Sequence, residues 1–219
     1  MKLMPMSVKV WCGTGALLAV TAGCSLMQPA VVKQKFLLPS VPPAAGPAAI
    51  AAPVVVPALV RVNLIGVAVP FSSTNLVYRR DGLRYDTDFY NEYFVAPRDL
   101  LTERVRAWVG ASGVFRGVAM GGSPLSAIYE LNGFVSEFYG DLRPGRAPEA
   151  VVAAEFVLSE VSLSPARLVW HQTYSRRVPL AGSGPTQVAQ GLDSALTGVL
   201  GELCADLRTG LAAEAATSK

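Results

Sequence analysis

The pattern of apolar and polar positions changes character several times along the chain, and each change marks an element. Residues 58–69, "ALVRVNLIGVAV", set Val60, Val62 and Leu64 against Arg61, Asn63 and Ile65 in a β-branched run, which predicts a first strand covered on both faces. "LVYRRDGLRYDT" places Asp81-Gly82 between two strand-like runs, a hairpin signal. In "PRDLLTERVRAWVGASG" Pro97 opens a helix. Leu101, Val105 and Trp108 recur at helical spacing with Leu100 and Val109 beside them, Arg98, Asp99, Glu103, Arg104 and Arg106 face away, and Gly113 suits a C-terminal cap.

Three strands follow. "AIYELNGFVSEFYGDL" is strand-like, with Gly133 as a candidate bulge. In "EAVVAAEFVLSEV", Val152, Ala154, Phe156 and Leu158 alternate with Ala153, Glu155 and Ser159. In "ARLVWHQTYSRRV", Leu168, Trp170, Tyr174 and Val178 share one face and His171, Thr173, Ser175 and Arg177 the other. After "LAGSGP", Val188, Leu192, Leu196, Val199, Leu203 and Leu207 form one helical stripe. The order predicts an α+β two-layer sandwich: a mainly antiparallel sheet packed on one face by two amphipathic helices, its other face wet.

The N-terminal pattern is of another kind. Lys2 and Lys9 precede an apolar run over residues 10–22, and the small residues Ala22 and Gly23 lead to Cys24, which is the arrangement of a bacterial lipoprotein signal peptide. The run is too short for the ~20 apolar residues a membrane span needs. Cys24 is then the lipidation site. Its thiol is nucleophilic enough to take a diacylglyceryl group as a thioether, and the amino group freed by cleavage can take a further acyl chain such as palmitate. At about 0.8 kcal/mol per buried CH₂, two or more chains make a stable anchor. Ser25 rather than Asp follows, which points to the outer membrane, on its periplasmic side. "PSVPPAAGPAAIAAPVVVP", residues 39–57, reads as a semi-rigid linker. From Ser25 to Pro57 it reaches roughly 30 Å as a coil and up to about 100 Å as polyproline II. The expected organisation is a signal peptide (1–23), a lipidated Cys with linker (24–57), a folded domain (58–212) and a short tail (213–219).

Composition narrows the chemistry. Of 219 residues 51% are hydrophobic and 16% charged, with a formal charge of +3, and the arginines are scattered without interleaved aromatics, so nucleic acid is not an expected partner. Cys12 leaves with the signal peptide and Cys24 is acylated, which leaves Cys204 as a structural thiol in the last helical stripe and no internal disulfide. His171 is the only histidine, so no multi-histidine metal site is expected. Asp81, Asp86, Asp88 and Glu92 are close in sequence, yet Asp81 belongs to a turn and the rest alternate with aromatics, a poor basis for an acid–base pair. "GVAMGGSP" lacks the Lys and Ser/Thr of a phosphate-binding loop. No catalytic residue, metal or cofactor is expected. The remaining cluster, "RYDTDFYNEYF", crowds Tyr85, Phe89, Tyr90, Tyr93 and Phe94 between acids. Such aromatics suit either a partner-binding surface or a loop folded onto its own core.

The lipobox, the Pro-rich spacer, the segment "LVYRRDGLRYDTDFYNEYFVAPRDLLTERVRAWV" and the strand meander closed by a long helix together resemble the ABC-type transport auxiliary lipoprotein family, from about Val60 to about Leu207. "VYR", "LRY" and the amphipathic helix carry most of the likeness; where many relatives place Trp before the helix, this chain has Tyr93 and Phe94. The resemblance implies a small sheet packed by two helices and a noncatalytic accessory role, docking on an MCE-domain protein with its ABC permease and ATPase in lipid transport. The alternative is a structural envelope lipoprotein supporting an outer-membrane or cell-wall assembly. Exposed strand edges leave a homo-oligomer open.

Overall fold

The computed structural model describes residues 32–39, 41–42, 54–119 and 126–217, with side chains as far as residue 214 in the last helix. The signal peptide, Cys24, most of the Ala/Pro-rich stretch, the glycine-rich segment 120–125 and the end of the tail lie outside the described residues. The chain divides into two units, 1–31 and 32–219, and every described residue belongs to the second.

The elements are β1 (Gln34–Phe36), β2 (Val56–Val62), β3 (Gly66–Val67), a 3₁₀ turn at Val69–Phe71, β4 (Asn75–Arg79), β5 (Tyr85–Tyr93), α1 (Pro97–Ala111), β6 (Phe115–Ala119), β7 (Tyr129–Asp141), β8 (Glu149–Glu160), β9 (Arg167–Pro179) and α2 (Pro185–Thr217). Among the described residues the nine strands belong to one sheet, with β7 as its spine. One edge of β7 pairs antiparallel with β8, which pairs antiparallel with β9. The other edge is followed by a single stretch of chain in three parallel steps: β2 beside Tyr129–Leu131, β3 beside Phe134–Val135, and β4 beside Gly140–Asp141. Beyond that edge the sheet forks, β2 pairing with β6 and β4 with β5 and then β1.

The α+β class is therefore met, and the sandwich description is not. Five of the eight pairings among the described residues are parallel, although the two longest ladders, β7–β8 and β8–β9, are antiparallel. Hydrophobic alternation reports which face a side chain occupies and carries no information on strand direction, which is set by the connections. Nor is the sheet a plain second layer. Over one part of its outer face Phe71 stacks on Tyr139 at 5.5 Å and Tyr85 meets the same ring edge-on at 5.3 Å, so Tyr139 is 0% exposed on a face expected to be wet.

The first strand is broken in two. Ile65 is buried while Leu64 is exposed, and the chain turns there so that the Ile65 amide donates to Thr102 Oγ1 of α1 at 2.9 Å. In β9 the alternation holds from Trp170 onward and fails before it: the register shifts so that Leu158 faces Trp170 while Ser159 faces Leu168, and Leu168, expected on the face of Trp170, is 61% exposed. Trp170 and Tyr174 lie toward α2, where Trp170 approaches Gly210 and the Tyr174 hydroxyl donates to Asp206 at 2.9 Å. His171 lies outward beside Glu155 at 2.9 Å. The core forms where α1 lies on β2, β3 and β6, and α2 lies on β7, β8, β9 and α1. Leu100, Leu101, Val105, Trp108 and Val109 of α1 are buried, as are Val188, Leu192, Leu196, Val199, Leu203 and Leu207 of α2. Gly113 ends α1 with φ of +64°, the left-handed position its sequence signal suggests. The irregularity of β7 falls between Val135 and Glu137, not at Gly133. Gly133 serves close approach instead, since a Cβ there would sit 2.7 Å from Phe156 and 2.8 Å from Ile65.

Candidate functional site

β5 begins as the second arm of a tight hairpin. Asp81 Oδ1 accepts from the amides of Leu83 and Arg84 at 2.8 and 2.6 Å, and these bonds hold its carboxyl below the ordinary range. The strand pairs with β4 from Tyr85 to Thr87, and pairing resumes only at Glu92, opposite Asn75. The extra residues form a wide bulge organised around Asp88. Its Oδ1 accepts from the amides of Tyr90 and Asn91, and its Oδ2 from the Tyr78 hydroxyl at 2.8 Å and Asn91 Nδ2 at 2.9 Å. Asn75 Nδ2 donates to the Asp88 carbonyl at 2.7 Å. Desolvation pushes the Asp88 carboxyl up, but these donors outweigh it and leave the group below the usual carboxylate range.

The consequence is a pair of aromatics standing clear of the core. Phe89 and Tyr90 are 65% and 49% exposed, and their rings meet edge to face at 5.2 Å. On the outer side runs β1, parallel to β5, with Gln34 opposite Asn91 and Phe36 opposite Tyr93. Lys33 places its ammonium 4.7 Å from the centre of the Phe89 ring, and Lys33 and Lys35 share Glu92 at 3.3 and 3.5 Å. Desolvation raises Glu92, and the two lysines more than offset it. At the far end of β1, Leu37, Phe94 and Val95 are also exposed, with the Phe94 amide bonded to the Phe36 carbonyl at 2.8 Å.

The five aromatics of "RYDTDFYNEYF" thus divide. Tyr93 is in the core, 5.5 Å from Phe138. Tyr85 is partly held by Phe71 and Tyr139, with Arg79 over its outer side at 5.6 Å. Phe89, Tyr90 and Phe94 project. Alternation alone would put Phe89 and Tyr93 on one face; the bulge breaks that parity. The Asp88–Asn91 spacing, a local side-chain turn signal, was the clue in the sequence. β1 is a further functional neighbour that sequence patterning misses, because three residues beside a Pro-rich stretch are too few to show a period.

Elsewhere, Asp141 is buried at the end of β7 and held by Arg143 at 2.6 Å, with Arg177 at 3.7 Å. The Arg143 bond keeps its carboxyl below the ordinary range. Asp86 pairs with Arg80 at 2.9 Å. A 480 Å³ cleft between the start of β2 and the end of α2 is walled by Val55, Pro57, Tyr129 and Leu211, and its Arg167 is engaged by Glu160 at 2.9 Å and by Glu214. Burial pushes the Cys204 thiol up to about 12, which suits a packing role. Among the described residues no group of three or more His, Cys, Asp or Glu is placed to hold a metal ion, and no helix is long and apolar enough to cross a membrane.

No family model matches the chain, and no curated protein does. Solved structures do. The fold is similar to that of a Xanthomonas campestris protein described under the family model DUF330, at 20% identity and a TM-score of 0.64, covering 86% of this chain and 98% of that one. It is also similar to that of an uncharacterized protein at 15% identity and a TM-score of 0.61, covering 80% and 99%. At these identities the likeness is one of fold.

Proposed function

We propose that the protein is a lipid-anchored accessory component of an ABC/MCE-type lipid transport system, held at the outer membrane through Cys24 and facing the periplasm, which acts by protein–protein binding without catalysis. The observation that carries this reading is an apolar group left outside a core that is complete without it: Phe94, Val95 and Leu37, exposed together where β1 and β5 end. A core needs no such residues, and a rigid strand edge presents them at low entropic cost to a partner. The lipobox pattern at Cys24, the family resemblance of residues 60–207 and the fold shared with the Xanthomonas protein support it further.

The test uses the acylated full chain purified from detergent-solubilised membranes. Co-purification with an MCE-domain protein and its permease, reduced by Phe94→Ala, is the expected result. A chain that is acylated yet never associates with those components would sink the transport role and favour the structural envelope lipoprotein.

A further inference from the structure

The sheet begins before the Ala/Pro-rich stretch. β1 is paired to β5, and Leu38, two residues after it, is 1% exposed and part of the core. Residues 33–38 are therefore fastened to the folded unit, and the length of chain between Cys24 and that unit is set by residues 25–32 alone, whatever the chain from Ser40 to Pro53 does. At about 3.5 Å per residue, nine Cα steps from Cys24 to Lys33 reach at most about 32 Å. A tether to residue 57 would have allowed more than three times that. What lies beside the fastened end is the Phe89–Tyr90 tip, with Lys33 over the Phe89 ring.

We infer that this tip docks on the phospholipid surface to which the chain is anchored, with Phe89 and Tyr90 seated among the headgroups and Lys33 beside the phosphates. This rests on the reading of Cys24 as the acylated residue, and it assigns the tip to lipid, leaving Phe94, Val95 and Leu37 at the other end of β1 for protein contact. Three observations choose the bilayer over a protein for this spot. The first is position, since any tether this short keeps the tip within reach of the interface and supplies a high effective concentration, so a weak contact suffices. The second is chemistry. A Phe–Tyr pair with an apolar body and one hydroxyl suits the interfacial layer, and although Lys33 and Lys35 are matched in number by Glu92 and Asp88, the lysine side chains are 40% and 52% exposed against 13% for Glu92, so the ammonium groups are the charges presented to lipid phosphates. The third is that the acid at the tip, Asp88, is turned inward with both oxygens engaged by Tyr78, Asn91 and backbone amides, so no unpaired carboxylate meets the phosphates.

The experiment uses the full acylated chain carrying Cys204→Ala, with a nitroxide attached to Tyr90→Cys or, separately, Phe89→Cys, and Leu168→Cys on β9 as the control at the opposite sheet edge. Each is reconstituted into vesicles of phosphatidylethanolamine and phosphatidylglycerol. The expected result is loss of collisional access to a water-soluble nickel chelate, with gain of access to oxygen, at 89 and 90 and not at 168. Labels at 89 and 90 as open to the chelate as the one at 168, in protein whose Cys24 acylation is verified by mass spectrometry, overturn the docking while leaving the anchor intact. Shielding that appears only in native membranes and not on protein-free vesicles overturns it in favour of a protein partner. An unmodified Cys24 removes the anchoring reading and this one together.

Discussion

The β7–β8–β9 region under α2 and the β4–β5–β1 edge are built by opposite means. In the first, order comes from apolar packing: Val152, Ala154, Phe156 and Leu158 of β8 are all nearly inaccessible beneath a helix whose stripe is equally buried. In the second, β5 runs for nine residues and buries only Tyr93, and its shape is held by the hydrogen bonds converging on Asp88. Packing makes a scaffold whose inward residues cannot change without loss. Polar bonding makes a surface whose outward residues are spared from stability and so are available for contact.

The sharpest test of that contrast compares a central and a peripheral core residue. Phe156→Ala should cost about 3–5 kcal/mol and Leu38→Ala, which empties the core contact that follows β1, about 2–3 kcal/mol, both read from urea unfolding. A Leu38→Ala variant as stable as the parent would detach β1 from the core and lengthen the tether on which the membrane inference depends. Asp141→Asn comes next, at about 1.5 kcal/mol, since it weakens charge-assisted bonds at a buried site. Because the folded carboxyl lies below its unfolded value of about 3.9, its contribution is complete above that pH and fades as pH falls through the folded value. The variant should show a flatter loss of stability on the acid side, measured as urea midpoint against pH. The smallest effect is expected where contact is proposed: Phe89→Ala and Tyr90→Ala should each shift stability by no more than about 0.5 kcal/mol. A loss near that of Leu38→Ala would place the tip within the core and end the contrast.

The candidate site was half legible. "RYDTDFYNEYF" stands out by composition, but which of its aromatics project depends on the parity of β5, and a bulge resets parity without changing composition. Tyr93 turns inward and Phe94 outward because pairing with β4 resumes at Glu92. The neighbourhood of Lys33 and Phe89, fifty-six positions apart in sequence, exists only because β1 adds to the edge of β5.

By itself the sequence determined the periodic parts: both helices with their buried stripes, the Asp81-Gly82 hairpin, the three long strands and the inward and outward sides of β9 from Trp170 onward, though not Leu168, which a register shift turns outward. These follow from local geometry, since a repeat of 3.6 or 2 residues dictates which side chains share a face. Tertiary structure alone decided the direction of the strands on the far edge of β7, the fork of the sheet, the burial of Tyr139 under Phe71 and Tyr85, and the recruitment of residues 34–38 ahead of the proline-rich stretch. Each of these is a choice of neighbour among distant segments, governed by which pairings leave the fewest backbone groups and apolar surfaces exposed at once. No single segment contains that information.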